Sequence, residues 1–151
     1  TVLDLGAGTG FLTFSLAEEL TEGEVYAVDI REEMIKKLEE KCSEKGYENV
    51  EILHSREDDI PIPEKKVDKT FMLNVLHEVK RTKTLEEVWE VMKEDGEIFV
   101  LDWDKGVTTR FGPPSHERLT RSEAIDELEE KGFEIIDSGS MQDHFWIIAK
   151  R

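Results

Sequence analysis

The 151-residue chain has one cysteine, four prolines and far fewer basic than acidic residues, 20 against 36. The lone Cys42 excludes an internal disulfide and a thiolate cluster for zinc or iron–sulfur chemistry. No apolar run reaches the roughly 18 residues that a membrane helix needs. Nor does the start show the basic region and apolar stretch of a signal peptide, so a cytoplasmic protein with no membrane association is expected. A net charge of -16 repels phosphate backbones, and no lysine or arginine tract relieves it. Nucleic acid is therefore not an expected partner. His77, His116 and His144 lack the spacing of a metal motif, and no metal is expected. The length and a hydrophobic content of 38% suit one domain over residues 1–151.

What is present is an alternation of strand and helix patterns. Residues 1–5 (TVLDL) read as a buried strand ending at a glycine cluster. Leu12, Leu16 and Leu20 then recur at helical spacing up to Gly23, and residues 24–30 form a second strand. Met34, Ile35, Leu38 and Cys42 mark one face of a second helix, with Gly46 as its stop. Strands are expected at 50–53 and 67–73, separated by a loop that holds Pro61 and Pro63. Leu85, Val88, Trp89 and Met92 mark a third helix, Asp95-Gly96 a turn, and residues 97–102 a fifth strand. Thr120 and Glu123 form a capping box ahead of a fourth helix that Gly132 ends. The last strands are expected at 133–138 and 144–149. The few residues between them allow a hairpin but no parallel crossover, so the final strand should run antiparallel. The pattern is an α/β sandwich on a mostly parallel sheet.

The most informative segment is Gly6-Ala7-Gly8-Thr9-Gly10, between the first strand and the first helix. A glycine turn there presents backbone N–H groups at the positive end of the helix, where a polar or anionic group is expected. Asp29 follows Gly10 by nineteen positions, at the end of the second strand, where a carboxylate can accept hydrogen bonds from ribose hydroxyls. Together they describe an adenosine site. Phe11 stands near where a dinucleotide binder keeps its third glycine, and no lysine follows the glycines to hold phosphates. Asp4 would repel a pyrophosphate and attract the ammonium group of a methionine. That charge pattern favours S-adenosylmethionine.

Residues 2–10 (VLDLGAGTG), Asp29 and Leu76-His77-Glu78 make the chain resemble the class I S-adenosylmethionine-dependent methyltransferases, closest to the small-molecule group around the ubiquinone and menaquinone C-methyltransferases. The resemblance implies a Rossmann-like three-layer sandwich with seven strands in the order 3-2-1-4-5-7-6, the seventh antiparallel. It implies that Asp4, Gly6, Ala7, Gly8 and Gly10 hold the methionine end, Asp29 the ribose, and Ile30 one adenine face with Met34 nearby. The segment Ser55-Arg56-Glu57-Asp58 is expected to cap the adenine edge, although relatives commonly have an aspartate where Arg56 stands, with Glu57 as a possible substitute. Asn74 would place its backbone carbonyl near the methionine amine.

The implied activity is methyl transfer to a small-molecule acceptor; the alternative is a domain that binds the cofactor but serves as an inactive sensor or scaffold. His77 is either a base that takes the acceptor's proton or a packed histidine. After the fifth strand, Trp103 is placed either to stack on a flat acceptor or to fill space, while Arg110 or Arg118 can hold an anion. Relatives carry helices before the first strand that cover the substrate. Their absence from this sequence raises the expectation of a homodimer or of a partner subunit supplying a lid.

Overall fold

The computed structural model describes residues 1–56 and 59–151. In chain order the elements are β1 (Val2–Leu5), α1 (Phe11–Glu19), β2 (Val25–Asp29), α2 (Glu32–Lys45), β3 (Val50–His54), β4 (Val67–Leu73), α3 (Arg81–Val91), β5 (Met92–Trp103), α4 (Arg121–Lys131), β6 (Glu134–Met141) and β7 (His144–Lys150). Among the described residues the seven strands form one sheet in the order β3-β2-β1-β4-β5-β7-β6. The first five strands pair in parallel, and β7 runs antiparallel to both β5 and β6. This is the expected order and the expected reversal.

Every residue of β1 and β2 is buried, as strands covered by helices on both faces must be. Side chains alternate across a strand, so neighbours in sequence serve opposite layers. Val28 joins the larger core, with Leu3, Met72, Ile98 and Phe145, onto which α3 and α4 pack through Val88 and Leu128. Ala27 faces the other way, joining Phe14 of α1 and Ile35 and Leu38 of α2.

Three departures from the sequence reading have local causes. In α1 the buried side is Thr13, Phe14 and Ala17 rather than the leucine row. The Thr13 hydroxyl donates to the buried Asp4 carboxylate, and Phe14 stacks on Tyr47, which fixes the rotation of the helix. That helix also stops at Glu19, before Gly23, where the Asn49 side-chain amide donates to the Ala17 and Leu20 carbonyls. Asp95-Gly96 is not a turn between elements but lies inside β5. Pairing with β4 jumps from Val67–Met92 to Lys69–Glu97, so the extra residues of β5 bulge out of the ladder.

Met92, read as part of the third helix, instead opens β5, because its backbone is already extended; elsewhere the local signals hold. Thr120 and Glu123 form the reciprocal capping box of α4, and Gly46 and Gly132 end α2 and α4 in the left-handed conformation. Only Gln142 and Asp143 separate β6 from β7, with Gln142 at φ 54°, a two-residue hairpin tighter than the sequence suggested. Among the described residues no helix is long and apolar enough to cross a membrane. For the site, the decisive feature is β1: β2 lies on one side of it and β4 on the other, so the chain order reverses there. In open parallel sheets that reversal opens a crevice at the carboxyl ends of the strands.

Candidate functional site

A cavity of about 320 Å³ opens at this crevice. Of the residues singled out in the sequence, Gly6, Asp29, Ile30, Ser55, Arg56 and Asn74 line it. Sequence reasoning missed a second wall, formed by Val75 and Val79 after β4 and by Thr84 and Glu87 on α3. Thr84 and Glu87 lie three residues apart and share a helical face. They were passed over because that helix was read only through its apolar residues. Glu57 and Asp58, the rest of the expected adenine-edge segment, lie outside the described residues.

The glycine turn differs from the expected anion cradle. Gly6 and Ala7 both donate their N–H groups to the Val28 carbonyl, at 2.8 and 3.0 Å. Gly10 donates to Ala7, and Gly8 donates to Asp29 Oδ2 at 2.8 Å. These four donors are consumed within the protein and do not form a phosphate nest. The turn instead shapes the cavity: Asn74, also left-handed at φ 57°, faces Gly6 from the end of β4.

Asp29 is 3% exposed yet lines the cavity. Its Oδ1 accepts the Arg31 backbone N–H at 2.9 Å and Arg31 Nε at 3.3 Å, while among the described residues Oδ2 accepts only Gly8. A carboxylate has about four acceptor positions, so one remains, on Oδ2, for a hydroxyl donor. Beside it Ile30 is 48% exposed, leaving a branched apolar surface for a flat ring to cover. An adenosine fits this pair without any phosphate contact.

Asp4, Ala7, Gly8, Gly10 and Met34, also expected at the site, do not line the cavity. Asp4 is 3% exposed and accepts the Thr13 hydroxyl at 2.6 Å. Burial pushes its carboxyl from the ordinary 3.8 up to about 6; the Thr13 hydrogen bonds pull the other way, and the nearby Asp29 adds to the rise.

His77 does not line the cavity; its imidazole turns to Asp102 at the end of β5. Asp102 Oδ1 meets Nδ1 at 2.6 Å, and Oδ2 accepts the His77 backbone N–H at 3.1 Å. A carboxylate can only accept, so the ring proton sits on Nδ1 and Nε2 is left basic. Nε2 is 3.6 Å from Glu78, whose neighbourhood forms part of the cavity wall. Burial pulls the imidazole pKa down, but the hydrogen bond and charge of Asp102, with Glu78 and Glu117 behind it, outweigh burial and raise it.

In the loop after β5, Trp103 is engaged within the protein. Its ring lies 4.1 Å from that of His144, and a Cβ on Gly112 would meet it at 2.5 Å. Space-filling, the second of the two expected roles, describes this geometry. Arg118 is buried and donates to the Pro113, Val107 and Phe111 carbonyls, whereas Arg110 is exposed. Among the described residues no cluster of His, Cys, Asp or Glu is grouped to hold a metal ion.

Comparison with known proteins identifies the family. A demethylmenaquinone methyltransferase of Anoxybacillus flavithermus is 33% identical over 102 residues, 66% of this chain and 43% of its own length. A ubiquinone/menaquinone biosynthesis C-methyltransferase of Yersinia enterocolitica is 33% identical over 107 residues, 69% of this chain and 43% of its own. The chain thus spans less than half the length of these relatives. The crystal structure of a SAM-dependent methyltransferase from Aquifex aeolicus superposes with a TM-score of 0.92 at 36% identity, covering 99% of this chain and 80% of that one. Residues 1–145 match the model of a methyltransferase domain, and the chain belongs to that family.

Proposed function

We propose that this domain binds S-adenosylmethionine and directs its methyl group to a small-molecule acceptor. The carrying observation is the contrast at the crevice. The turn amides are consumed internally, while Asp29 keeps an acceptor position beside exposed Ile30. That combination suits a nucleoside without phosphates. Asp29 would take the ribose, Ile30 the adenine, Gly6 and Asn74 the methionine side, with Asp4 supplying negative charge behind the turn. The names of the similar proteins support the cofactor, and those of the quinone methyltransferases support a small acceptor.

The sulfonium of the bound cofactor supplies an already activated methyl group. What remains for the protein is to orient the acceptor and exclude water. His77, turned to Asp102 and off the cavity wall, is read as the packed histidine of the two alternatives rather than as the acceptor's base.

Calorimetric titration of S-adenosylmethionine tests the site. Asp29→Ala should weaken binding at least about a hundredfold, the cost of stripping the partner from buried hydroxyls and amides. Equal affinity in the two proteins refutes the assignment. Transfer of label from methyl-labelled cofactor into a metabolite extract tests the activity, and none above a no-enzyme control argues against it.

A further inference from the structure

The loop between β5 and α4 holds a second cavity, of about 380 Å³, with Lys105, Arg110 and Arg118 on its walls. Arg118 is 6% exposed, and no carboxylate pairs with it among the described residues. Its Nε and Nη2 each donate to a carbonyl at 2.8 Å, of Pro113 and Phe111, and Nη1 donates to Val107 at 3.3 Å. A guanidinium has five donors, so two remain. Buried charges are ordinarily paired, because taking an ion from water without a counter-charge is costly. Among the described residues three carbonyl dipoles and the face of the Trp103 ring, 5.5 Å away, meet it, and no counter-charge does.

The rest of the wall has the same character. Arg110 is exposed and has no ion-pair partner among the described residues, and Lys105 reaches Glu123 only at 3.4 Å. Residues 105–118 hold these three cations against the single carboxylate of Glu117, in a chain whose net charge is -16. Threonine hydroxyls of Thr108 and Thr109 add further donors, and Phe111, 72% exposed, adds an apolar edge. The loop leaves the carboxyl end of β5, the edge of the sheet at which the cofactor crevice opens.

We propose that this loop is an oxyanion site, which holds a carboxylate or phosphate group of the acceptor through Arg118, Arg110 and Lys105. The assignment of the anion to the methyl acceptor rests on the proposed function; the site itself does not. An acceptor anchored there would be an anionic molecule with an apolar body against Phe111. It would meet a locally positive surface on a protein that otherwise repels it.

The test is titration of the whole protein with sodium phosphate and, separately, sodium benzoate, at ionic strength held constant with chloride. The readout is the arginine Nε–H and tryptophan indole signals in proton–nitrogen spectra. Saturable shifts at Arg110, Arg118 and Trp103 are expected with at least one of the two, and the one that saturates identifies the oxyanion class. In the double variant Arg110→Gln/Lys105→Gln, which spares the buried clasp, affinity should fall at least about tenfold, the loss of one charge-assisted hydrogen bond. Linear, non-saturating shifts with both salts, or equal affinity in the double variant, overturn the proposal. S-adenosylmethionine affinity should be the same in the double variant and the parent. If the parent binds anions but not S-adenosylmethionine, the proposed function fails and the oxyanion site stands.

Discussion

Asp102 grips His77 at two points, accepting its backbone N–H at 3.1 Å and meeting its imidazole Nδ1 at 2.6 Å. The grip ties the segment that begins the cavity's second wall to the end of β5. Because the folded-state pKa of His77 is raised above 6.5, its protonated form favours the folded protein. That contribution is fully present below pH 6.5 and fades as pH rises through the folded value. Asp102→Asn should lower stability by about 2 kcal/mol at pH 6. It should also flatten the decline from pH 6 to 8, read from thermal melts across that range. Parallel curves for the two proteins would show that the pair does not titrate as a unit.

Asp4 gives a slope of the same sign, but from a penalty on its charged form rather than from a favoured cation. An acid whose folded pKa is raised binds its proton more tightly when folded, so stability declines as pH climbs from about 4 to about 6 and then levels. The shift from 3.8 to about 6 corresponds to a penalty of about 3 kcal/mol at neutral pH. Asp4→Asn should therefore melt higher than the parent at pH 7.5 and alike at pH 4. It should also bind S-adenosylmethionine more weakly, since the ammonium loses its attracting charge. For the parent, affinity should drop below pH 6, as calorimetry in acetate and phosphate buffers can show.

At Gly6 the backbone is left-handed, φ 73°, and a Cβ there would sit 2.3 Å from Val75 Cγ2. Gly6→Ala should cost about 2–4 kcal/mol, combining backbone strain with displacement of a packed side chain. Adding Val75→Ala should recover the steric part alone, leaving about 1 kcal/mol or more of strain. Full recovery in urea unfolding would mean that the strain is absent.

Thr120→Ala removes one half of the α4 capping box and should cost about 1 kcal/mol. Since α4 does not line the crevice, cofactor affinity should not move. The variant thus separates general stability from binding in the same assays.

Where one residue type answers one local demand, the sequence was readable. The Thr120–Glu123 box, the helix-ending Gly46 and Gly132, and the β6–β7 reversal each follow from backbone constraints that act over a few positions. The rotation of α1 was not readable, because it depends on Asp4 capturing the Thr13 hydroxyl across nine residues. The site divides the same way. Gly6 and Asp29 were found from spacing along adjacent strands. The pairing of His77 with Asp102 and the capture of Arg118 by carbonyls joined segments whose meeting no periodicity announces. The amides of the glycine turn illustrate the hazard: the residue types suggested free donors, and Val28 and Asp29 had already taken them.

The loop that leaves β5 is pinned where it starts and where it ends. Asp104 N–H donates to the Asp143 carbonyl in the terminal hairpin, and Lys105 N–H donates to Leu119 just before α4, both at 2.9 Å. Neither fastening involves β1, β2 or the glycine turn. Residues 106–117 therefore form an interchangeable cassette between two fixed posts. On the proposed function, grafting a loop of different length or charge between those posts should redirect which acceptor is methylated and leave S-adenosylmethionine affinity unchanged.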